Sequence, residues 1–520
     1  MNRPAPGRNH GNRMRQPAWY LAFPLGFFLL VGTFSLGAGL LAGLDPLIFA
    51  QCASLVVGAT LCFVGPKSRL VISVVGALLV FQSDFTSLKY GYLAVAFLCF
   101  LLSLRSIFDP GGGIRREFRA LVVCSALLAC YLAFTFVVSR SNDISSVQWF
   151  RDALPYFLLV LLPYIGIAAG PAISPRWNHW WFIAIGLAVS VGLTADWLHR
   201  RGVSALPFGR FVLSSTVVVA LCFAYAITQA GLPRNPMRWW WGTISLIILV
   251  AVLLTGSRSN LVLLAAFAGI IGSARDFRVT PRRAWGVLFG LLLTLVVVTP
   301  LVANLLVSDP DFLNTRINDA LAVLQGHADA DASYAMRKAS YDLTAEALTD
   351  HLALGTGPGY LYPTPPKPTF NLDAPGIVPA KFGLFGLAFI GAFLLSVAVS
   401  VRNIRRAHGP SPAFTASRGW LVVLIALVPF GPWLEDKGFP VALAMLFAAV
   451  ISDARPESSE CRPPTAPQSD SVGAGRVNGV SAPRVLSDTL SGLAGRADTR
   501  EASRPDSHRV VRGRLARRAI

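Results

Sequence analysis

Charge is scarce in this chain. Only 14% of its 520 residues are Asp, Glu, Lys or Arg, where soluble proteins carry about a quarter. Such a composition excludes an ordinary soluble domain. Acids are scarcer than bases, 27 against 46. Cysteine is sparse too. Six of the seven (Cys52, Cys62, Cys99, Cys124, Cys130 and Cys222) fall inside apolar runs, and Cys461 lies near the C-terminus. No disulfide is expected from that placement, and no Cys/His spacing fits a metal site. The short alternating apolar/polar segments of an outer-membrane barrel are missing as well.

Apolar residues are abundant, at 54% of the chain. Runs long enough to cross a hydrocarbon core recur near 19–42, 46–64, 69–83, 88–104, 119–138, 153–170, 179–197, 208–230, 239–256, 260–273, 284–306, 379–401, 419–434 and 438–452. The fold class expected is an all-α polytopic membrane protein of about 12–14 spans with one large periplasmic loop. The first run has a basic flank but is too long for a signal peptide and lacks a small-residue cleavage site, so it reads as retained.

Charge orients the spans. With the N-terminus inside, Lys67, Arg69, Arg115, Arg116, Arg119, Arg234, Arg238, Arg275, Arg278, Arg282, Arg283, Arg402, Arg405 and Arg406 all fall on the inner side, as the positive-inside rule requires. The net charge of +19 is then largely a topology signal and does not point to nucleic acid. The expected topology is multi-pass with both termini cytoplasmic. Residues 1–18 read as a basic cytoplasmic tail, 19–306 as transmembrane helices, 307–378 as a periplasmic loop, 379–452 as further helices, and 453–520 as a disordered cytoplasmic tail. That last stretch has twelve Arg against eight acids and no core-forming periodicity. Its "RVVRGRLARRAI" ending is read either as a solvated tail or as a contact with anionic membrane lipid.

The loop holds nine acids against four bases. Within it, Ser333 to Leu361 reads as a helix and a stop: Tyr334, Tyr341, Ala345 and Leu348 share a helical stripe, and Gly355, Gly357 and Pro358 end it. Arg337 falls on or beside that stripe. The segment Tyr362 to Gly376 is too proline-rich for a helix.

Arginine recurs where statistics disfavour it. In "LLTGSRSNLVLL", Arg258 sits at a tight turn on the outer side, where Arg140, Arg151, Arg200, Arg201 and Arg210 also gather, with Arg337 in the loop above. Asp143, Asp152, Asp196, Glu435 and Asp436 offer structural ion pairs, Asp152 most directly to its neighbour Arg151. Arg258 has no acid within ten residues on either side. Its guanidinium either snorkels to the headgroups or meets a diphosphate, whose oxygens a guanidinium fork matches bidentately.

"TGSRSNLVLLAAF" (Thr255 to Phe267) resembles the Ser-Arg hairpin of the bacterial O-antigen ligase/polymerase superfamily. "MRKASYDLTAEALTDHLALGTGPGYL" is similar to that family's loop signature, an Arg followed by an "HPL-G-GPG-F"-like stretch. "FGLFGLAFIGAFLL" (Phe382 to Leu395) resembles its "E-x-G-x-x-G-L" opening of the span that closes the loop, and "GRFVLSSTVVVALCF" is a looser match to an Arg-bearing helix. The resemblance covers about residues 205–400 and implies a GT-C-like, metal-independent glycosyltransferase without a cofactor, located in the bacterial inner membrane. The implied donor is an undecaprenyl-diphosphate-linked glycan. The implied acceptor is lipid A–core for a ligase, or another lipid-linked glycan for a polymerase. The family's His-Asn pair before the closing helix is altered, with Phe370 beside Asn371.

The resemblance makes Arg258 and Arg337 the candidate catalytic cations for the leaving diphosphate. His351 is a candidate base or proton relay, or else a cap on the helix C-terminus. Asp350 and Asp373 are alternative bases, and His327 lies in a less structured context. Arg210, Tyr334, Tyr341 and Ser257 are candidate substrate contacts. Tyr360 and Tyr362 either stack on sugar rings or simply pack. A secondary transporter is the main rival, and a non-catalytic envelope scaffold is the other. A transporter places its charges near the bilayer midplane.

Overall fold

The computed structural model describes residues 56–81, 86–109, 113–200, 215–232, 235–254, 266–267, 269–272, 325, 332–364, 368–370, 372, 374, 376–427 and 433–454. All belong to one unit, Met1–Ser459, distinct from Glu460–Ile520. Its helices are α1 Pro66–Val80, α2 Thr86–Ser103, α3 Arg119–Ser141, α4 Ser146–Ala169, α5 Pro175–Arg200, α6 Thr216–Gly231, α7 Arg238–Leu254, α8 Ala332–Asp350, α9 Ile377–His408, α10 Pro412–Leu427 and α11 Phe439–Asp453. This is an all-α polytopic membrane protein. Among the described residues, five helical segments are long and apolar enough to cross a membrane: Leu88–Ile107, Arg116–Ser141, Ser146–Ala172, Pro175–Asp196 and Ile377–His408. The spans expected near 19–42, 46–64, 260–273 and 284–306 lie wholly or largely outside the described residues, as do the terminal tails.

One helix is enclosed by the others. The membrane-crossing window of α4 is 94% buried, against 33–50% for the other four long segments. Its closest neighbour is α11, and two glycines one helical turn apart explain the approach. A Cβ on Gly166 would lie 2.2 Å from the Ala444 carbonyl oxygen, and one on Gly170 would lie 2.6 Å from Ile451 Cβ. Small residues at this spacing let helix backbones pack closely where no hydrophobic effect drives them together. By contrast, α3 exposes Val123, Leu127, Phe134 and Val137 along one side, an apolar stripe suited to lipid.

Two boundaries differ from the hydropathy reading. Helix α4 starts at Ser146, ahead of the apolar run near 153, because Ser145 and Gln148 form a reciprocal cap. Gln148 N–H donates to Ser145 Oγ at 3.2 Å and Ser145 N–H to Gln148 Oε1 at 3.1 Å. The run near 419–434 is not one helix: α10 is described to Leu427, and Trp433–Glu435 is a separate 3-10 turn. Pro429 and Pro432 lie between, where neither can donate a helical hydrogen bond.

The chain direction puts the C-terminus of α3 and the N-termini of α4, α6 and α9 at one end, hereafter the loop end. Arg69, Arg105, Arg115, Arg116, Arg119, Arg176, Arg238, Arg402, Arg405 and Arg406 collect at the other. Trp239 and Trp240, 77% and 66% exposed, lie there too, as interfacial aromatics do.

Helix α9 breaks near its start. Gly383 has φ 64° and ψ −175°, and a Cβ there would lie 2.1 Å from the Ala353 carbonyl oxygen. The break strips the following amides of helical acceptors. The turn after α8 replaces them, as Leu384 N–H donates to Leu352 O at 2.9 Å and Phe385 N–H to Ala353 O at 3.3 Å.

Gly383→Ala is therefore expected to cost more than 2 kcal/mol, from a left-handed backbone strain of about 1–3 kcal/mol plus the clash. Gly391→Ala, in the same helix with open space around its Cβ, is expected to be neutral or stabilising by up to about 1 kcal/mol. Circular-dichroism melting of the detergent-solubilised protein separates them; equal melting temperatures would contradict the break.

Candidate functional site

The segment after α8, "GTGPGYL", threads between helices where side chains do not fit. Gly355, Gly357 and Gly359 have φ of 74°, 87° and 89°, a region glycine enters without penalty. Each backbone lies against another: an added Cβ would meet the Lys381 carbonyl at 2.4 Å, Ser139 Oγ at 2.4 Å and Trp149 N at 2.6 Å, respectively. Hydrogen bonds fix the passage. Thr356 N–H donates to Ala380 O and Gly357 N–H to Lys381 O, both at 2.9 Å. Asn142 Nδ2 donates to Thr356 O at 2.8 Å and Ser139 Oγ to Pro358 O at 3.0 Å. Tyr362 and Thr369 then exchange backbone bonds as an isolated bridge, consistent with a proline-rich segment that is not helical.

Beneath this turn lies a wholly buried ammonium. Lys381 Nζ sits 2.7 Å from Asp152 Oδ1 and 3.0 Å from Glu435 Oε2, with the lysine side chain 0% exposed. The other oxygens are also used. Gly359 N–H donates to Asp152 Oδ2 at 2.7 Å, and Tyr156 OH donates to Glu435 Oε1. The Tyr156 ring stands edge-on to Phe382, whose carbonyl accepts from Tyr131 OH. Charges this deep persist only when paired and hydrogen-bonded. Two carboxylates share one ammonium here, and burial pushes the Glu435 carboxyl up, against the pull of Lys381. Burial likewise pushes the Tyr362 phenol up to about 12, so it stays neutral. Next to Glu435, Asp436 turns toward the start of α6, accepting from Val217 N–H at 3.2 Å and Thr216 Oγ1 at 3.3 Å. A carboxylate is favoured at a helix N-terminus.

The residues expected from sequence fall around this core unevenly. Arg258, Ser257 and Arg210 lie outside the described residues. Arg337 and Tyr334 are in α8, without described side chains. His351 follows the last residue of α8 and is exposed; Tyr341 is 43% exposed. The stripe of Tyr341 and Ala345 is not the packed face. Ser340, Thr344 and Ala347 are buried instead, and a Cβ on Gly376 would lie 2.7 Å from Thr344 Cγ2. The helix seats by small side chains, and Tyr341 faces outward. The ion pair that Asp152 offered to Arg151, one of two readings of that arginine, does not form, because Asp152 points inward to Lys381. Arg151 lies outward, its Cζ 5.8 Å from the Phe370 ring centre. Arg140 is at the loop end, donating to Ile144 O at 3.1 Å. Lys381, Tyr156 and the Gly359 amide were not anticipated.

No curated protein matches the chain. A family profile does: O-antigen ligase, over residues 243–382. Over those residues the chain is similar to O-antigen ligases, which supports a place in that superfamily. The O-antigen ligase segment runs from α7 through α8 and the glycine turn to Phe382, one residue before the break in α9. It includes Lys381 but neither Asp152 nor Glu435. In the "E-x-G-x-x-G-L" pattern that the family resemblance supplies, Lys381 stands at the acidic position, so the charge there is reversed and both acids come from outside the O-antigen ligase segment.

Lys381→Met leaves two carboxylates buried without their cation, which typically costs about 3–5 kcal/mol. We expect a large loss of melting temperature, and at least half of it recovered in Lys381→Met/Asp152→Asn/Glu435→Gln. A triple variant no more stable than the single one would contradict the pairing.

Proposed function

We propose that this O-antigen ligase/polymerase-type membrane enzyme transfers a glycan from undecaprenyl diphosphate to an acceptor at the periplasmic side, as an O-antigen ligase does. The reading puts the loop end outside the cytoplasm. What supports it is the crowding of arginines at the opposite end, the asymmetry associated with cytoplasmic loops. The observation that carries the reaction is the family match, which spans both the Ser-Arg hairpin and the loop helix with its glycine turn.

In this mechanism the sugar C1–O bond to diphosphate breaks as an acceptor hydroxyl attacks from the opposite face. Negative charge grows on the leaving diphosphate, where Arg258 and Arg337 stabilise it, with Arg210 and Ser257 as further contacts. The acceptor proton passes to a base. His351 is the first candidate, exposed at the end of α8, its imidazole without a hydrogen-bond partner among the described residues. Tyr334 and Tyr341 present rings to the glycan. A polymerase of the same superfamily would run the same chemistry with a second lipid-linked glycan as acceptor.

The test is purified protein in vesicles, given a lipid-diphosphate glycan together with lipid A–core or a second lipid-linked glycan. Arg258→Ala and Arg337→Ala are each expected to lower turnover by about 10²–10³. Wild-type turnover in both variants would remove the mechanism, and the acceptor that becomes longer separates ligase from polymerase.

A further inference from the structure

The clasp around Lys381 leaves two neighbouring cations outside it, neither in an ion pair with a described carboxylate. Among the described residues three carboxylates lie in this region, and all six of their oxygens are engaged inward. Asp152 binds Lys381 Nζ and Gly359 N–H; Glu435 binds Lys381 Nζ and Tyr156 OH. Asp436 binds Gly438 N–H at 2.8 Å with one oxygen, and Val217 N–H and Thr216 Oγ1 with the other. Arg151 and Lys437 stand next in sequence to these acids, yet no carboxylate of a described residue lies within ion-pair distance of either. The formal charges of the six residues cancel, so it is geometry rather than net charge that leaves the two cations open.

Their surroundings favour an anion from outside. Arg151 is exposed, and its guanidinium lies over the Phe370 ring at cation–π distance, a contact that uses none of its N–H donors. Lys437 is half-buried, and burial together with the Arg151 charge pushes its ammonium down, against the longer-range pull of Asp436, Glu435 and Asp152. Two cations that repel across a partly desolvated rim are both relieved by one shared anion. They sit in the first turns of α4 and at the α10–α11 connection, both at the loop end where membrane-crossing helices begin.

We infer that Arg151 and Lys437 form an anion site, outside the O-antigen ligase segment, for the phosphate oxygens of a membrane-embedded lipid. A polyprenyl diphosphate and a glycerophospholipid both offer this chemistry. Identifying the lipid with the glycan donor rests on the proposed function; the anion site itself does not.

The full chain in phosphatidylcholine nanodiscs, titrated with farnesyl diphosphate, provides the test, with phosphatidylglycerol nanodiscs as a second arm. Arg151→Gln/Lys437→Gln is expected to weaken farnesyl diphosphate binding about tenfold or more, while Arg140→Gln changes it less than about twofold. An effect confined to phosphatidylglycerol identifies a phospholipid site and supports the inference. Equal binding by wild type and double variant, or no wild-type binding of either lipid, overturns it. Acetylation of Lys437 in the wild-type protein guards against a misfolded variant: the bound lipid slows it if the site exists, and an unchanged rate counts against it. Unchanged lipid binding alongside glycan transfer sinks this inference alone; lipid binding without glycan transfer sinks only the proposed reaction.

Discussion

The ammonium of Lys381 ties together parts of the chain that are remote in sequence. Asp152 comes from the enclosed helix α4, Glu435 from the turn before α11, and Lys381 from the short first half of α9. An unpaired charge in such an interior costs several kcal/mol, so these elements have a strong reason to meet in one register. The Gly359 amide joins them through Asp152. The loop is thereby anchored to the central helix rather than resting on the bundle's surface.

The rest of the loop end follows from that anchor. The glycine turn needs three left-handed residues because it runs against the backbones of α9, α3 and α4 in succession. The break at Gly383 gives the turn after α8 a place to dock, since the freed amides of α9 donate to its carbonyls. Close packing of α4 on α11 at Gly166 and Gly170 brings Asp152 and Glu435 within reach of the same lysine.

The membrane helices were legible because long apolar runs have few other uses. The stop after α8 was legible for a similar reason: Gly-x-Gly-Pro-Gly admits no helix. Polar residues hid the start of α4, since Gln148, Arg151 and Asp152 depress hydropathy, although the Ser145–Gln148 cap was present as a signal. The clasp was harder to see. Its carboxylates lie 229 and 54 residues from Lys381, and separations of that kind leave no local pattern. One clue existed, a lysine where the family motif carries an acid. The adjacency of Arg151 and Asp152 misled, because neighbours on a helix point about 100° apart and here they face opposite environments.

The most direct test of the anchor is amide hydrogen exchange of the detergent-solubilised full chain, read at Gly357 and Gly359. If Lys381 and Asp152 hold the turn onto the bundle, both amides should exchange only at the rate of global unfolding, and Asp152→Asn should bring Gly359 to fast local exchange while the centre of α4 stays protected. Rapid exchange of Gly359 in the unaltered protein, or protection indifferent to Asp152, would contradict the account.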